Sequence, residues 1–170
     1  MPALYVVRHG EPALRGVMLG RTDPPLSEAG REQMRRVSLP VRIVFTSPLR
    51  RALESAESIA GGAEIIVLDD LCEIALGTWD GRTWEEIEAM DPELSRRKLA
   101  NWTAVTPTDG EPWPDFDHRV HSALDVVCAR GEDAALVGHI AVNACIASHL
   151  AGTDPLGFRQ DYGQVYEYRF

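Results

Sequence analysis

Lysine is almost missing from this 170-residue sequence: Lys98 is the only one, against 16 arginines. Cysteine is scarce too. Cys72, Cys128 and Cys145 are odd in number, widely spaced and form no C-x-x-C pair. That pattern excludes a disulfide framework and a zinc ribbon, and it fits a reducing cytoplasm. Long hydrophobic runs are absent. The N-terminal run ending at Val7 is too short for a signal-peptide core and lacks a basic lead and a cleavage site. The longest apolar stretch, 134–151, is interrupted by His139, Asn143, Ser148 and His149. A spanning helix needs about 20 predominantly apolar residues, so no membrane segment is expected. Positive charge is in deficit: 17 basic residues face 26 acidic ones, for a net charge of −9. A chain of that sign repels polyanions, which argues against nucleic acid and anionic membrane as partners. There is no internal repeat, no Gly-x-x-x-x-Gly-Lys phosphate loop and no Gly-x-Ser-x-Gly elbow.

What remains has ordinary globular usage, 45% apolar and 25% charged. The length predicts one domain, residues 1–170, with a core large enough to need no staple. Apolar β-rich segments at 3–7, 42–46, 64–68 and 134–137 read as strands, with a closing strand at 165–169. Ser27 reads as the N-cap of a helix reaching about Leu39, where Pro40 stops it. Ser47-Pro48 reads as N-cap and first turn of a helix to about Ala60. Thr83 to Glu86 forms a capping box that opens a helix to Met90. The proline-punctuated stretch around 82–118 reads as a partly helical flap. Residues 116–129 and 141–150 read as helices. Strands alternating with helices predict an α/β fold, a three-layer α/β/α sandwich with a mostly parallel central sheet.

In such sheets ligands bind beyond the carboxyl ends of the strands. Those positions carry Arg8-His9-Gly10, then Ser47 to Arg51, then Glu73, and finally Gly138-His139. The set suits phosphoryl transfer. Arginines bind phosphate oxygens bidentately, a histidine can attack phosphorus, and a carboxylic acid can protonate the leaving oxygen. The helix opening after His139 would add backbone N–H groups facing an anion.

These segments resemble the histidine phosphatase superfamily, the phosphoglycerate-mutase-like proteins. The likeness runs in order through Arg8-His9-Gly10, Leu26 to Gly30 with Gln33, and Ser47-Pro48-Leu49-x-Arg51-Ala52. It continues through Glu73-x-x-x-Gly77-x-Trp79-x-Gly81, Asp115-Phe116-x-x-Arg119-Val120 and Val137-Gly138-His139. The resemblance implies His9 as nucleophile, Arg8, Arg51 and His139 as ligands of the phosphoryl oxygens, and Glu73 as general acid and then base. It requires no metal or other cofactor. Arg15 stands where relatives often place a polar group on the phosphate. Ile140 follows His139 where the family usually has glycine, which alters the backbone beside the phosphate. Gly20-Arg21 opens a segment to Leu26 similar to the α-ribazole phosphatase group. Arg15, Gly20, Arg21 and Ile140 are therefore candidate substrate contacts.

Competing motifs fail. His118 and His121 share a helix face but lack a third metal ligand at suitable spacing. His9-x-Glu11 lacks the Pro-Cys-x-x-Cys that a zinc deaminase needs. Trp79, Trp84, Trp102 and Trp113 fit core or lid packing better than base stacking. The resemblance therefore implies a phosphatase acting on a small-molecule phosphomonoester, α-ribazole phosphate or a sugar phosphate, as a monomer or homodimer. A mutase or a non-catalytic phosphate-binding module are the alternatives. Mutases of the family carry longer insertions over the site, for which 170 residues leave little room.

Overall fold

The computed structural model describes residues 1–170. Five strands form one sheet in the order β3-β2-β4-β1-β5. β1 is Ala3–Arg8, β2 Ile43–Thr46, β3 Glu64–Val67, β4 Ala134–Gly138 and β5 Val165–Arg169. The first four run parallel, and β5 returns antiparallel to β1. Six helices accompany them: α1 Glu28–Arg35, α2 Arg50–Ile59, α3 Trp84–Met90, α4 Pro92–Ala100, α5 Trp113–Cys128 and α6 Ile140–Ala151. None is long and apolar enough to cross a membrane.

Strand alternation builds the layers. Leu4, Val6, Phe45 and Leu136 face α5 and α6 and pack with Val120, Leu124, Val142 and Ile146. Val7, Val44, Ala135 and Val137 face the other way, against Met34 of α1 and Ala52, Ala56 and Ile59 of α2. Every residue of β4 is buried, as expected for a central parallel strand covered on both faces. β4 enters the sheet between β1 and β2, so the chain reverses its direction of winding there. Arg8 stands opposite Gly138 in register, and Thr46 opposite Val137. The carboxyl ends of β1, β4 and β2 thus lie side by side.

Several boundaries differ from those expected. α1 ends at Arg35 instead of near Leu39. The N–H groups of Arg36 and Val37 bond three residues back, to Gln33 and Met34, a tightening typical of a helix end. α2 starts at Arg50 with Leu49 as its N-cap, so Ser47 is not the cap. The Ser47 hydroxyl is engaged elsewhere, as described below. α5 starts at Trp113, three residues early, because Pro114 in its first turn gives up only an N–H that no helix would use. Between α3 and α5, α4 opens on Pro92 by the same logic.

Candidate active site

His9 follows β1 directly and is 5% exposed. Its Nδ1 lies 2.7 Å from the Gly10 carbonyl. A carbonyl only accepts, so Nδ1 carries the proton and Nε2 keeps its lone pair. Burial first, then the charges of Arg51 and Arg8, pull the ring down to about 3, so it is neutral across the physiological range. The loop that holds it needs two glycines. A Cβ on Gly10 would stand 2.6 Å from the Gly30 carbonyl oxygen, and one on Gly30 would stand 2.1 Å from that of Glu11. α1 therefore packs backbone to backbone on the His9 loop.

Arg51, in the first turn of α2, is 1% exposed. Its Nη1 donates to the Thr22 carbonyl (2.9 Å) and its Nη2 to that of Gly20 (3.0 Å). Arg8 donates from Nη1 to the Gln160 carbonyl (2.6 Å), and its guanidinium lies 4.1 Å from the Tyr162 ring centroid. His139, at the end of β4, is fully buried, with its ring 5.1 Å from that of His9. Its Nε2 is 2.8 Å from the Ser47 hydroxyl, and Ser47 Oγ in turn accepts from the Leu49 N–H. That is why Ser47 does not cap α2. Burial and the neighbouring arginines hold the His139 ring well below its ordinary value. The chain has four buried side-chain polar atoms without a hydrogen-bond partner, and three of them are Arg8 Nε, Arg51 Nε and His139 Nδ1. Buried donors are rarely left unmet, so this group is built to receive a polar ligand.

Glu73 sits on the loop after β3 and is 4% exposed. Its Oε1 accepts from the Ile74 N–H (2.9 Å) and its Oε2 from the Ala141 N–H at the start of α6 (3.2 Å). Burial raises the carboxyl above its ordinary value against the pull of those bonds and of Arg51 and Arg8. A clamp holds the loop from behind. Arg119 of α5 donates to the carbonyls of Asp70, Cys72 and Glu73 and forks onto Glu111.

Arg8, His9, Arg51, Glu73 and Ile140 line one cleft of about 660 Å³. The other candidate contacts do not join them. Arg15 is exposed and pairs with Glu11 at 3.4 Å. Its side chain leans back along its own loop and does not enter the cleft. Gly20 lies behind Arg51 and serves it as an acceptor. Arg21 is exposed, and its Nε donates to the Glu73 carbonyl (3.1 Å). Asp80 accepts from the N–H groups of Gly20, Arg21 and Thr22, so this segment is a brace for Arg51 and not a wall. His118 is exposed, and His121 and His149 pair with Asp125 and Asp117. No cluster of three metal-ligating side chains is present.

Sequence reasoning missed Phe158, Arg159, Gln160 and Tyr162, which line the cleft ahead of β5, and it missed Ser47 as the partner of His139. No motif marks 158–162. Only β5's return beside β1 places that loop against Arg8. Trp84, Lys98 and Trp102 bring the flap into the lining.

The sequence model of the histidine phosphatase superfamily (branch 1) matches residues 4–170. Bifunctional protein Rv2228c of Mycobacterium tuberculosis is 34% identical over 159 residues, 86% of this chain. The chain spans only 41% of that relative's length. A Yersinia pestis protein named "Probable phosphoglycerate mutase GpmB" is 30% identical over 167 residues, covering 89% of this chain and 76% of that protein. Among solved structures, Bacillus stearothermophilus YhfR superposes with a TM-score of 0.87 at 30% identity, covering 98% of this chain and 90% of that one. The alpha-ribazole phosphatase of Shigella flexneri shares the fold, with a TM-score of 0.86 at 24% identity, covering 97% of this chain and 89% of that one.

Proposed function

The chain belongs to branch 1 of the histidine phosphatase superfamily, and on that premise we propose that it hydrolyses a small-molecule phosphomonoester through a phosphohistidine at His9. The observation that carries this reading is the set of unpartnered buried nitrogens of Arg8, Arg51 and His139 around a neutral His9. In the first step the Nε2 lone pair of His9 attacks phosphorus and the bond to the leaving oxygen breaks. Glu73 gives its proton to that oxygen, and the alcohol departs. In the second step the Glu73 carboxylate takes a proton from water, the water oxygen attacks phosphorus, and the N–P electron pair returns to His9. The arginines and His139 hold the equatorial oxygens, where charge gathers in the transition state. The raised Glu73 carboxyl supports its role as acid, because a proton kept to higher pH is available to give.

Apolar side chains are available to the alcohol part: Met18, Leu76, Trp84, Trp102 and Phe158 line the same cleft as Arg8, His9 and Arg51. An ester with an apolar or aromatic body fits them better than a bare sugar phosphate. α-Ribazole phosphate is of that kind, and the likeness of 20–26 to the α-ribazole phosphatase group supports it as a substrate to test. Three free thiols and a net charge of −9 support a cytoplasmic site of action, without nucleic acid or membrane as partner. A phosphomonoester screen that includes α-ribazole phosphate and a phosphoglycerate, read by phosphate release and by isomerisation, tests the proposal. The likeness to a protein named as a mutase favours the second reading. Isomerisation faster than phosphate release would establish it in place of hydrolysis.

A further inference from the structure

The cleft holds two more cations besides Arg8 and Arg51. Arg159 is exposed and donates to the carbonyls of Leu156 and Phe158 beside it in the chain, whereas the other is buried and remote in sequence from the groups around His9. Lys98, on α4, is 7% exposed and lines the same cleft as His9, Arg51 and Glu73. Its ammonium donates to the carbonyls of Trp102 (2.5 Å) and Val105 (2.7 Å) and lies 5.9 Å from the centroid of the Trp102 ring. An ammonium has three N–H donors, so one remains uncommitted. Although the chain has 26 acidic residues, none forms an ion pair with Lys98; its acidic groups pair only with arginines and histidines. The cleft it lines is mostly apolar, with Met18, Leu76, Trp84 and Leu99 among the lining residues, and its acidic members, Glu73 and Asp161, make no ion pair with Lys98. Burying a charge without a counter-charge is far costlier than burying a paired one. The cost shows in the amine, which burial alone draws down to about 8. A loop tie would need no charge, since a neutral donor can bond two carbonyls. A cation kept here is explained by an anion that arrives with the substrate.

We propose that Lys98 is a subsite for a second anionic oxygen group of the substrate, so that the preferred ester carries a carboxylate or a second phosphate at its non-reacting end. The inference rests on the phosphomonoesterase reading and narrows it. α-Ribazole phosphate offers no such second group and ranks below esters that do.

The single lysine makes a direct test available on the unaltered protein. Lysine labelled with carbon-13 at the ε position gives one side-chain resonance, that of Lys98. The protein is titrated with benzylphosphonate and with 4-carboxybenzylphosphonate, neither of which can be hydrolysed. The carboxylated compound is expected to bind about tenfold tighter, the scale of one charge-assisted hydrogen bond. It is also expected to raise the Lys98 titration midpoint by about one unit, while benzylphosphonate leaves that midpoint in place. Equal affinities, or a midpoint that moves alike with both, overturn the proposal. Binding of neither compound overturns it together with the phosphatase reading.

The kinetic arm compares 4-carboxyphenyl phosphate with phenyl phosphate. The ratio of their kcat/KM values should be about tenfold in the wild type and collapse toward one in Lys98→Met. A ratio unchanged by the substitution means that Lys98 only ties the loop. If the phosphonates bind as expected but neither ester is hydrolysed, the anion subsite stands and the hydrolytic reading fails.

Discussion

Glu73→Gln separates the proposed proton donor from the rest of the cleft. Glutamine keeps the size of the side chain but has no proton to give. With an alkyl phosphate, whose leaving alkoxide needs that proton, kcat should fall by about 10²–10⁴. With 4-nitrophenyl phosphate, whose leaving group departs as a stable anion, the loss should stay within about tenfold. The pH profile carries a second signature. The Glu73 carboxyl lies above its ordinary value of 4.5, so wild-type activity falls as the pH rises through the folded-state value. That alkaline limb should vanish in the variant. His9 titrates near 3 and sets no limb in the neutral range.

Stability changes in a calculable direction too. Each carboxylate oxygen accepts one backbone N–H, from Ile74 and from Ala141. An amide has one oxygen, so one of those buried donors meets an NH₂ group, at about 1–3 kcal/mol. In the wild type, stability declines as the pH rises from 4.5 through the raised folded value, because over that window the native protein holds a proton that the unfolded chain has lost. Glutamine has no such dependence, so the gap in Tm between the two proteins should narrow over the same window. Steady-state kinetics with both esters and thermal melts across pH are the assays. A loss of equal size for both leaving groups would refute the assignment of Glu73 as the acid.

Three further outcomes follow from the same geometry. Arg51→Lys should lose about 10²–10³ in kcat/KM despite keeping its charge. Arg51 spends Nη1 and Nη2 on Thr22 and Gly20 while leaving Nε free, and a single ammonium cannot occupy that fork; inhibition by vanadate should weaken in parallel. Gly30→Ala places a methyl 2.1 Å from the Glu11 carbonyl oxygen, so urea unfolding should show a loss of at least about 1–3 kcal/mol. Ser47→Ala removes the 2.8 Å partner of His139 Nε2 and should cut kcat roughly tenfold in a folded protein, with the His139 ring nitrogens shifting in nitrogen-15 spectra.

The strands and the residues that end them were legible because a buried parallel strand is a short apolar run and ligands gather at its carboxyl end. His9, Arg51, Glu73 and His139 fell out of that rule and of the family likeness, and the fold brings them together. Ser47 was misread because a serine before a proline looks like a cap, whereas its hydroxyl is spent on a histidine 92 positions away. Arg15 and Arg21 were misplaced for a related reason. Spacing along a loop tells how near a side chain lies in sequence, while Glu11 and the carbonyl of Glu73 decide where it points. Tyr162 and Gln160 reach the cleft only through the antiparallel return of β5, a tertiary fact with no local pattern. Lys98 stood out in composition as the lone lysine, but its burial against the flap carbonyls is visible only in the folded chain.

The central claim is a covalent phosphohistidine at His9. Rapid quenching of the protein during turnover of a phosphorus-32-labelled ester tests it most directly. The account predicts an acid-labile, alkali-stable label that appears before free phosphate, maps to the peptide containing His9 and is absent from His9→Ala, which should be inactive. Turnover without a labelled protein, or hydrolysis that survives in His9→Ala, would contradict it.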